Sequence, residues 1–277
     1  MQHPVVSREE WLAARAALLA REKAVMKAQD ALATEQRALP WVEIEESYVF
    51  ESPEGMLTFA ELFDGRNQLF VHHFMISPDD LGLCVGCSFE LDHVQGILEH
   101  LNAHDITYAV IAPIAVADIM EIRSRMGWRI PWVSSLGSEF TRHIREDFVT
   151  PGAMRAFDSV FYKDEAGRIF HTWSTSGRGA EAFMGIYRYI DVTPRGRFQE
   201  GGPFHALADW VRLRTEYGKG GSVDSKSRYR AASCECLPEQ AEDLGPATRR
   251  CSAADDRPCA PIPTGSAIIS GAQRGLR

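Results

Sequence analysis

The alternation of apolar and polar positions divides the chain into four stretches. Ser7 followed by Glu10 is a capping-box signature. It opens a helix predicted to run to about Leu39, where Pro40 ends it. Leu12, Ala16, Leu19, Lys23, Met26 and Asp30 sample one face, so the apolar stripe weakens toward the C-terminal half. Such a helix suits packing across the next domain or across a partner subunit, and a homodimer through it is one expectation.

From Trp41 to about Tyr217 the order is that of an α/β domain. Val42-Glu43-Ile44 and Tyr48-Val49-Phe50 read as short strands, with a turn at Ser52 to Gly55. Thr58 to Phe63 reads as a short helical piece before the Asp64-Gly65 turn. Gln68 to Ile76 is an almost continuous apolar run, as for a strand buried on both faces. Cys87, Leu91, Val94, Leu98 and Leu101 then fall at helical spacing, and Thr107 to Ile114 is a second buried strand. That strand–helix–strand unit should be parallel and right-handed. A helix over Val116 to Met126 and a strand at Pro131 to Ser135 follow. Ser159–Lys163 and Arg168–Ser174 flank a Gly/Asp turn and read as a closing antiparallel hairpin. The third stretch, Leu207 to Tyr217, reads as a short helix containing Trp210. From Lys219 to Arg277 the only aromatic residue is Tyr229, amid frequent Pro, Gly, Ser and Ala. Too little apolar surface is available there to offset the ordering entropy, so disorder is expected. The predicted organisation is an accessory helix over 1–40, a domain over 41–217 and a disordered tail over 218–277.

Bulk properties narrow the chemistry. The chain has 277 residues and a formal net charge of −8, with both signs mixed along it. Nucleic acid and anionic membranes call for concentrated positive charge and are not expected partners. No run approaches the roughly 18–20 apolar residues of a membrane span. Arg8, Glu9, Glu10 and Arg15 interrupt the first twenty positions, so no secretory core is read and a cytoplasmic location is expected. The six cysteines are then expected to be reduced rather than paired as structural cross-links.

Cys84-Val85-Gly86-Cys87 stands where the first buried strand hands over to its helix. Two thiols three positions apart at a helix start are placed for a short disulfide, and the helix N-terminus favours the thiolate of the leading one. At a pKa near 8.5 about 3% of a thiol is ionised at neutral pH, and at about 7 half is. That shift corresponds to roughly 2 kcal/mol, within reach of helix-terminal N–H groups and one local donor. Cys84 is therefore the expected nucleophile and Cys87, one turn inside, the resolving thiol. No cofactor and no metal are expected. A zinc site would need two further ligands. Cys234-Glu235-Cys236 lacks knuckle spacing and lies in the tail, where a chance pair is the simpler account. His100 and His104 lack the Glu of a metallohydrolase helix, and they read as a solvated helix end. His72 and His73 point to opposite faces of their strand, but either one could approach the thiols from its C-terminal end.

A peroxidase is the nearest rival. Peroxiredoxins resemble this layout, but Leu81 stands where their PxxxTxxC pattern places Thr, and Pro78 is six before Cys84. No proline stands before the closing hairpin, where Arg155-Ala156-Phe157-Asp158 is found; thioredoxin-like proteins usually carry a cis-Pro there.

Several segments together carry a family resemblance: Gly65-Arg66-Asn67-Gln68-Leu69, His72-His73-Phe74-Met75, Cys84 to Ser88, Arg125-Met126-Gly127-Trp128 and Pro131 to Ser135. Val160 to Glu165, Phe170 to Thr175, Arg178-Gly179 and Tyr189 to Pro194 extend it. Over about residues 5 to 217 the chain resembles the DUF899 family, a motif set specific enough to identify it. Phe140-Thr141-Arg142 departs from the family's Phe-Asn pattern, and the tail lies outside the resemblance. The resemblance implies a thioredoxin-like, peroxiredoxin-type α/β fold, a central mixed sheet flanked by helices, and a dithiol. It names no activity. Trp128 and Trp173 could line a groove or fill the core, and Arg178 could contact an anion or satisfy its own loop. The combined expectation is a thiol–disulfide oxidoreductase using Cys84 and Cys87 on an unidentified disulfide or thiol substrate, a protein among the candidates. A non-catalytic binding protein of the same fold and a zinc-holding dithiol are the alternatives.

Overall fold

Gln68 to His73, the apolar run read as doubly buried, forms the strand around which the other elements assemble. A computed structural model describes residues 3–146, 156–197, 211–219, 221–224 and 228–231. A long helix, α1 (Arg8–Arg37), precedes strands β1 (Val42–Ile44), β2 (Val49–Ser52) and β3 (Gly55–Thr58). After a 3-10 turn at Glu61–Phe63 come β4 (Gln68–His73), α2 (Val85–Val94), α3 (Leu98–Ala103) and β5 (Ile106–Ala112). Then follow α4 (Val116–Met126), β6 (Trp132–Ser134), α5 (Phe140–Glu146), β7 (Phe157–Lys163) and β8 (Ile169–Ser176). A 3-10 helix at Gly177–Phe183, α6 (Ile186–Asp191) and the short strands β9 (Ser222–Val223) and β10 (Tyr229–Arg230) complete the order.

Eight strands make one sheet in the order β1-β8-β7-β4-β5-β6-β2-β3. β4 and β5 are parallel, as are β5 and β6, while β7 runs antiparallel to β4 and pairs with β8. This is the mixed sheet with a closing hairpin expected of a thioredoxin-like chain. Period-2 alternation sends Leu69, Val71, Ala109 and Ile111 to one face, and Phe70, Tyr108, Val110 and Ala112 to the other. Each face has its own buried cluster, and α2 and α4 cover the second one. Gly127 ends α4 at φ 63, the left-handed conformation that glycine adopts without a Cβ penalty.

The capping box forms as read, with the Glu10 amide donating to Ser7 Oγ and Ser7 N–H to the Glu10 carboxylate. Other expectations need correction. None of α1 is buried, so it does not pack across the domain as one reading held. The helix expected from Cys87 to Leu101 breaks at Gln95–Ile97 into α2 and α3; Gly96 disfavours helix at the break. β3 and α5 have no counterpart among the elements expected from the sequence. Of the helix expected over Leu207–Tyr217, 207–210 fall outside the described residues, 211–213 are irregular and 214–217 form a turn rather than a helix. The tail expected to be disordered holds the β9–β10 hairpin, anchored by pairing outside itself: the Tyr229 amide donates to the Leu83 carbonyl at 3.0 Å. Among the described residues no helix is long and apolar enough to cross a membrane.

Candidate functional site

Cys84 is the N-cap of α2, at φ −63 and ψ 121, and its sulfur accepts the Cys87 amide at 3.4 Å. Capping by a sulfur is uncommon, yet it puts Cys84 Sγ among the unsatisfied N–H groups of the helix start. Cys87 Sγ accepts the Met75 amide at 3.4 Å, so the end of the β4 run holds the second thiol. Both thiols are free and buried. Their environments push them apart. A hydrogen bond from Cys87 draws the Cys84 thiol below its ordinary value; burial opposes this, and the Cys87 and Gly86 amides and the charge of His72 assist. Burial drives Cys87 well above its ordinary value, with Cys84 and the charge of Glu90 adding to the rise.

A buried polar cluster adjoins the pair. His72 Nδ1 lies 2.7 Å from Asp158 Oδ1 and 3.3 Å from Glu90 Oε1, and the Tyr108 hydroxyl donates to Glu90 Oε1 at 3.1 Å. Four elements supply it: β4, α2, β5 and β7. Glu90 sits one helical turn beyond Cys87, inside the stripe read as apolar. Burial lowers the pKa of His72, but the Glu90 charge and the hydrogen bonds of both carboxylates more than reverse this and hold it well above its usual value. Burial would raise Glu90, and His72 brings it below its usual value. Burial and the Glu90 charge push Asp158 up to about 7. The cluster thus favours His72 cationic and Glu90 anionic, with Asp158 titrating close to neutrality. These three side chains offer ligand atoms within 4.8 Å of one another, the size of a metal site. The upward shift of His72 favours Nδ1 as a donor to the two carboxylates over its use as a metal ligand.

His72 is the histidine that reaches the thiols electrostatically. His73 faces away and stacks on Phe157 at 3.8 Å between ring centroids. Trp128 is core: it is buried, and its indole N–H donates to Asp92 at 2.8 Å. Trp173 is half-buried against Phe183, and Arg178 pairs with Glu181 at 3.1 Å. Glu90, Asp158 and Tyr108 were not singled out from sequence. A Glu in phase with the Cys87–Leu91–Val94 stripe, and an Asp inside a buried strand, are the signals that could have found them.

The sequence model of the family described as "Bacterial protein of unknown function (DUF899)" matches residues 1–217. No curated protein matches the chain. Among solved structures, Xylella fastidiosa PrxQ (a C47S mutant) aligns at 12% identity and TM-score 0.35, covering 51% of this chain and 88% of its own. Peroxidoxin BcpB from Mycobacterium tuberculosis aligns at 12% identity and TM-score 0.37, covering 55% and 97%. A candidate thiol:disulfide interchange protein DsbE from Chlorobium tepidum aligns at 10% identity and TM-score 0.36, covering 52% and 92%. At these scores the likenesses carry no functional weight.

Proposed function

The chain belongs to the DUF899 family, and from that premise, which names no activity, we propose that it is a thiol–disulfide oxidoreductase working through Cys84 and Cys87. The observation that carries the reading is the split pair: two adjacent free thiols, one capping a helix and drawn toward thiolate, the other buried and held protonated. The Cys84 thiolate attacks one sulfur of a substrate disulfide, forming a mixed disulfide and releasing the other substrate sulfur as thiolate. Cys87 then loses its proton and attacks Cys84 Sγ, which frees the second substrate thiol and leaves Cys84–Cys87 oxidised. The His72–Glu90–Asp158 cluster is the positioning element: the charge of Glu90 adds to burial in opposing ionisation of Cys87, so that thiol stays protonated until its turn. Asp158, its pKa pushed up to about 7, is a buried group able to hold a proton near neutral pH.

The test is a redox titration in glutathione buffers with alkylation and mass readout, on the wild type, Cys84→Ser and Cys87→Ser. A reversible 84–87 disulfide in the wild type, and a trapped mixed disulfide on Cys84 in Cys87→Ser, support the proposal. A wild type that forms no such disulfide at any potential sinks it.

A further inference from the structure

The thiol that attacks an outside disulfide is covered. Cys84 is 3% exposed, and the strand along its backbone edge comes from far away in the chain. Arg228 forms an antiparallel bridge with Cys84, and the Tyr229 amide donates to the Leu83 carbonyl at 3.0 Å. Tyr229 is buried in the same apolar cluster as Leu83 and Cys84. This is the geometry in which an extended peptide adds to an exposed edge. The edge lies within the family match over residues 1–217, and the strand that fills it lies beyond.

Charges fix the strand in place. Asp80, in the loop before Cys84, pairs with Arg228 and takes Arg230 Nη1 and Nη2 at 3.1 and 2.7 Å. The Asp80 carbonyl also accepts Arg228 Nη1 at 3.1 Å. Asp224 accepts the Arg228 amide at 3.0 Å and Arg230 Nη2 at 2.9 Å, which ties the two arms of the hairpin together. Gly82 leaves room for a guanidinium, since a Cβ there would lie 3.0 Å from both Arg230 Nη1 and Asp80 Oδ1. The hydrogen bond from Arg230 holds the Asp80 carboxyl well below its usual range, so the acceptor stays charged. The Arg230 side chain is 45% exposed, so water and salt reach this pair and another cation can replace it. Arg228 and Arg230 are two positions apart and both meet Asp80. The edge therefore selects cations at alternate positions of an extended segment.

We propose that the Leu83–Cys84 edge, with Asp80, is the docking site for an extended, arginine-bearing segment of a disulfide-containing protein, and that Arg228–Arg230 occupy it in the resting chain. The inference rests on the oxidoreductase reading above and deepens it by giving the class of substrate. Backbone pairing supplies the attachment, and Asp80 supplies the preference for positive charge. Exchange then begins with a displacement. The incoming segment takes over the Leu83 carbonyl and the Asp80 carboxylate as the chain's own strand leaves, and its cystine is brought to Cys84. A disulfide without such a segment has to wait until the strand opens by itself.

The test follows iodoacetamide alkylation of Cys84 in the full reduced chain by mass spectrometry, taken to its high-pH plateau so that access rather than ionisation sets the rate. Arg230→Glu meets Asp80 and Asp224 with like charge, and it is expected to raise the plateau by about tenfold or more. Cys87 should stay as protected as in the wild type, and Arg230→Lys, which keeps a cation, should stay close to the wild-type rate. In Arg230→Glu, the capped peptide Ser-Arg-Tyr-Arg-Ala should bring the rate back down when added in the millimolar range of a tethered segment. Ser-Glu-Tyr-Glu-Ala should not, and adding Asp80→Ala should abolish the protection. The inference is overturned by a plateau indifferent to Arg230→Glu, by Cys87 opening together with Cys84, or by two peptides that act alike. Alkylation needs no disulfide exchange, so the two readings fail separately. A chain that forms the 84–87 disulfide but fails here loses only the docking site. One that passes here but forms no such disulfide keeps a peptide-binding edge and loses the oxidoreductase reading.

Discussion

His72 and His73 are adjacent in β4, and they face two different interiors. His73 points into a face built of rings: it stacks on Phe157, and beyond it Phe59 meets Phe161 at 5.0 Å and Phe50 meets Phe140 at 5.1 Å, both edge to face. His72 points into a face where Glu90, Asp158, Tyr108 and two thiols are buried among apolar side chains. The ring face gains from every contact, since each edge-to-face pair adds about 0.5–1.5 kcal/mol beyond its buried area. The polar face loses the hydration of its charges and recovers only part of it by pairing. Asp158 Oδ2 and His72 Nε2 have no hydrogen-bond partner among the described residues. A fold keeps such a face for its chemistry, and the sheet between the two lets the ring face offset its cost.

Substitutions should separate the two faces. Cys84→Ser should cut exchange with an external disulfide by about 100-fold or more, because no other thiol among the described residues has the helix-capping position. Its urea stability should match the wild type; activity kept within tenfold would dissolve the contrast. Phe161→Ala on the ring face should cost about 3–5 kcal/mol in urea unfolding while the Cys84 titration stays put. A shift of that titration would mean the faces are coupled.

Asp158→Asn should alter pH dependence. The folded pKa of Asp158, about 7, stands above its usual 3.8, so native protein keeps a proton that unfolded chain releases. Its contribution to stability is fully present below about pH 4 and is lost as pH rises to about 7. Asp158→Asn should remove that decline in stability measured across pH 4–7, and should change the pH profile of Cys87 attack without slowing the first attack by Cys84. An unchanged profile would leave the cluster a purely structural role. The smallest effect belongs to α1, whose Trp11, Leu18, Val25 and Leu32 are exposed. Leu18→Glu should leave stability within about 0.5 kcal/mol. Sedimentation should shift toward a smaller species, as docking on a second copy requires; an unchanged species contradicts that role.

Much of the sheet was legible because its strands are long apolar runs with one neighbour each way, as in Gln68–Ile76, Thr107–Ile114 and the hairpin across Asp164–Gly167. Helix α4 was legible from its own periodicity and its glycine stop. β3 was hidden because Gly55-Met56-Leu57-Thr58 becomes a strand only by pairing with β2. β10 was hidden for the same reason, since Tyr229 gains order from Leu83, far away in sequence, next to the bridge between Arg228 and Cys84. Cys84 and Cys87 stood out by spacing. Glu90 and Asp158 did not, because a hydropathy pattern sends charged residues to solvent unless a partner is known. Their partner, His72, lies 18 and 86 positions away.

The surroundings of the dithiol draw Cys84 toward thiolate and hold Cys87, three residues on, protonated. Alkylation of the reduced protein with iodoacetamide across pH, quantified for each cysteine by mass spectrometry, measures this directly. Cys84 is expected to react with a midpoint below the roughly 8.5 of a free thiol, and Cys87 to stay unreactive until well above it. Coincident midpoints, or Cys87 titrating first, would contradict it.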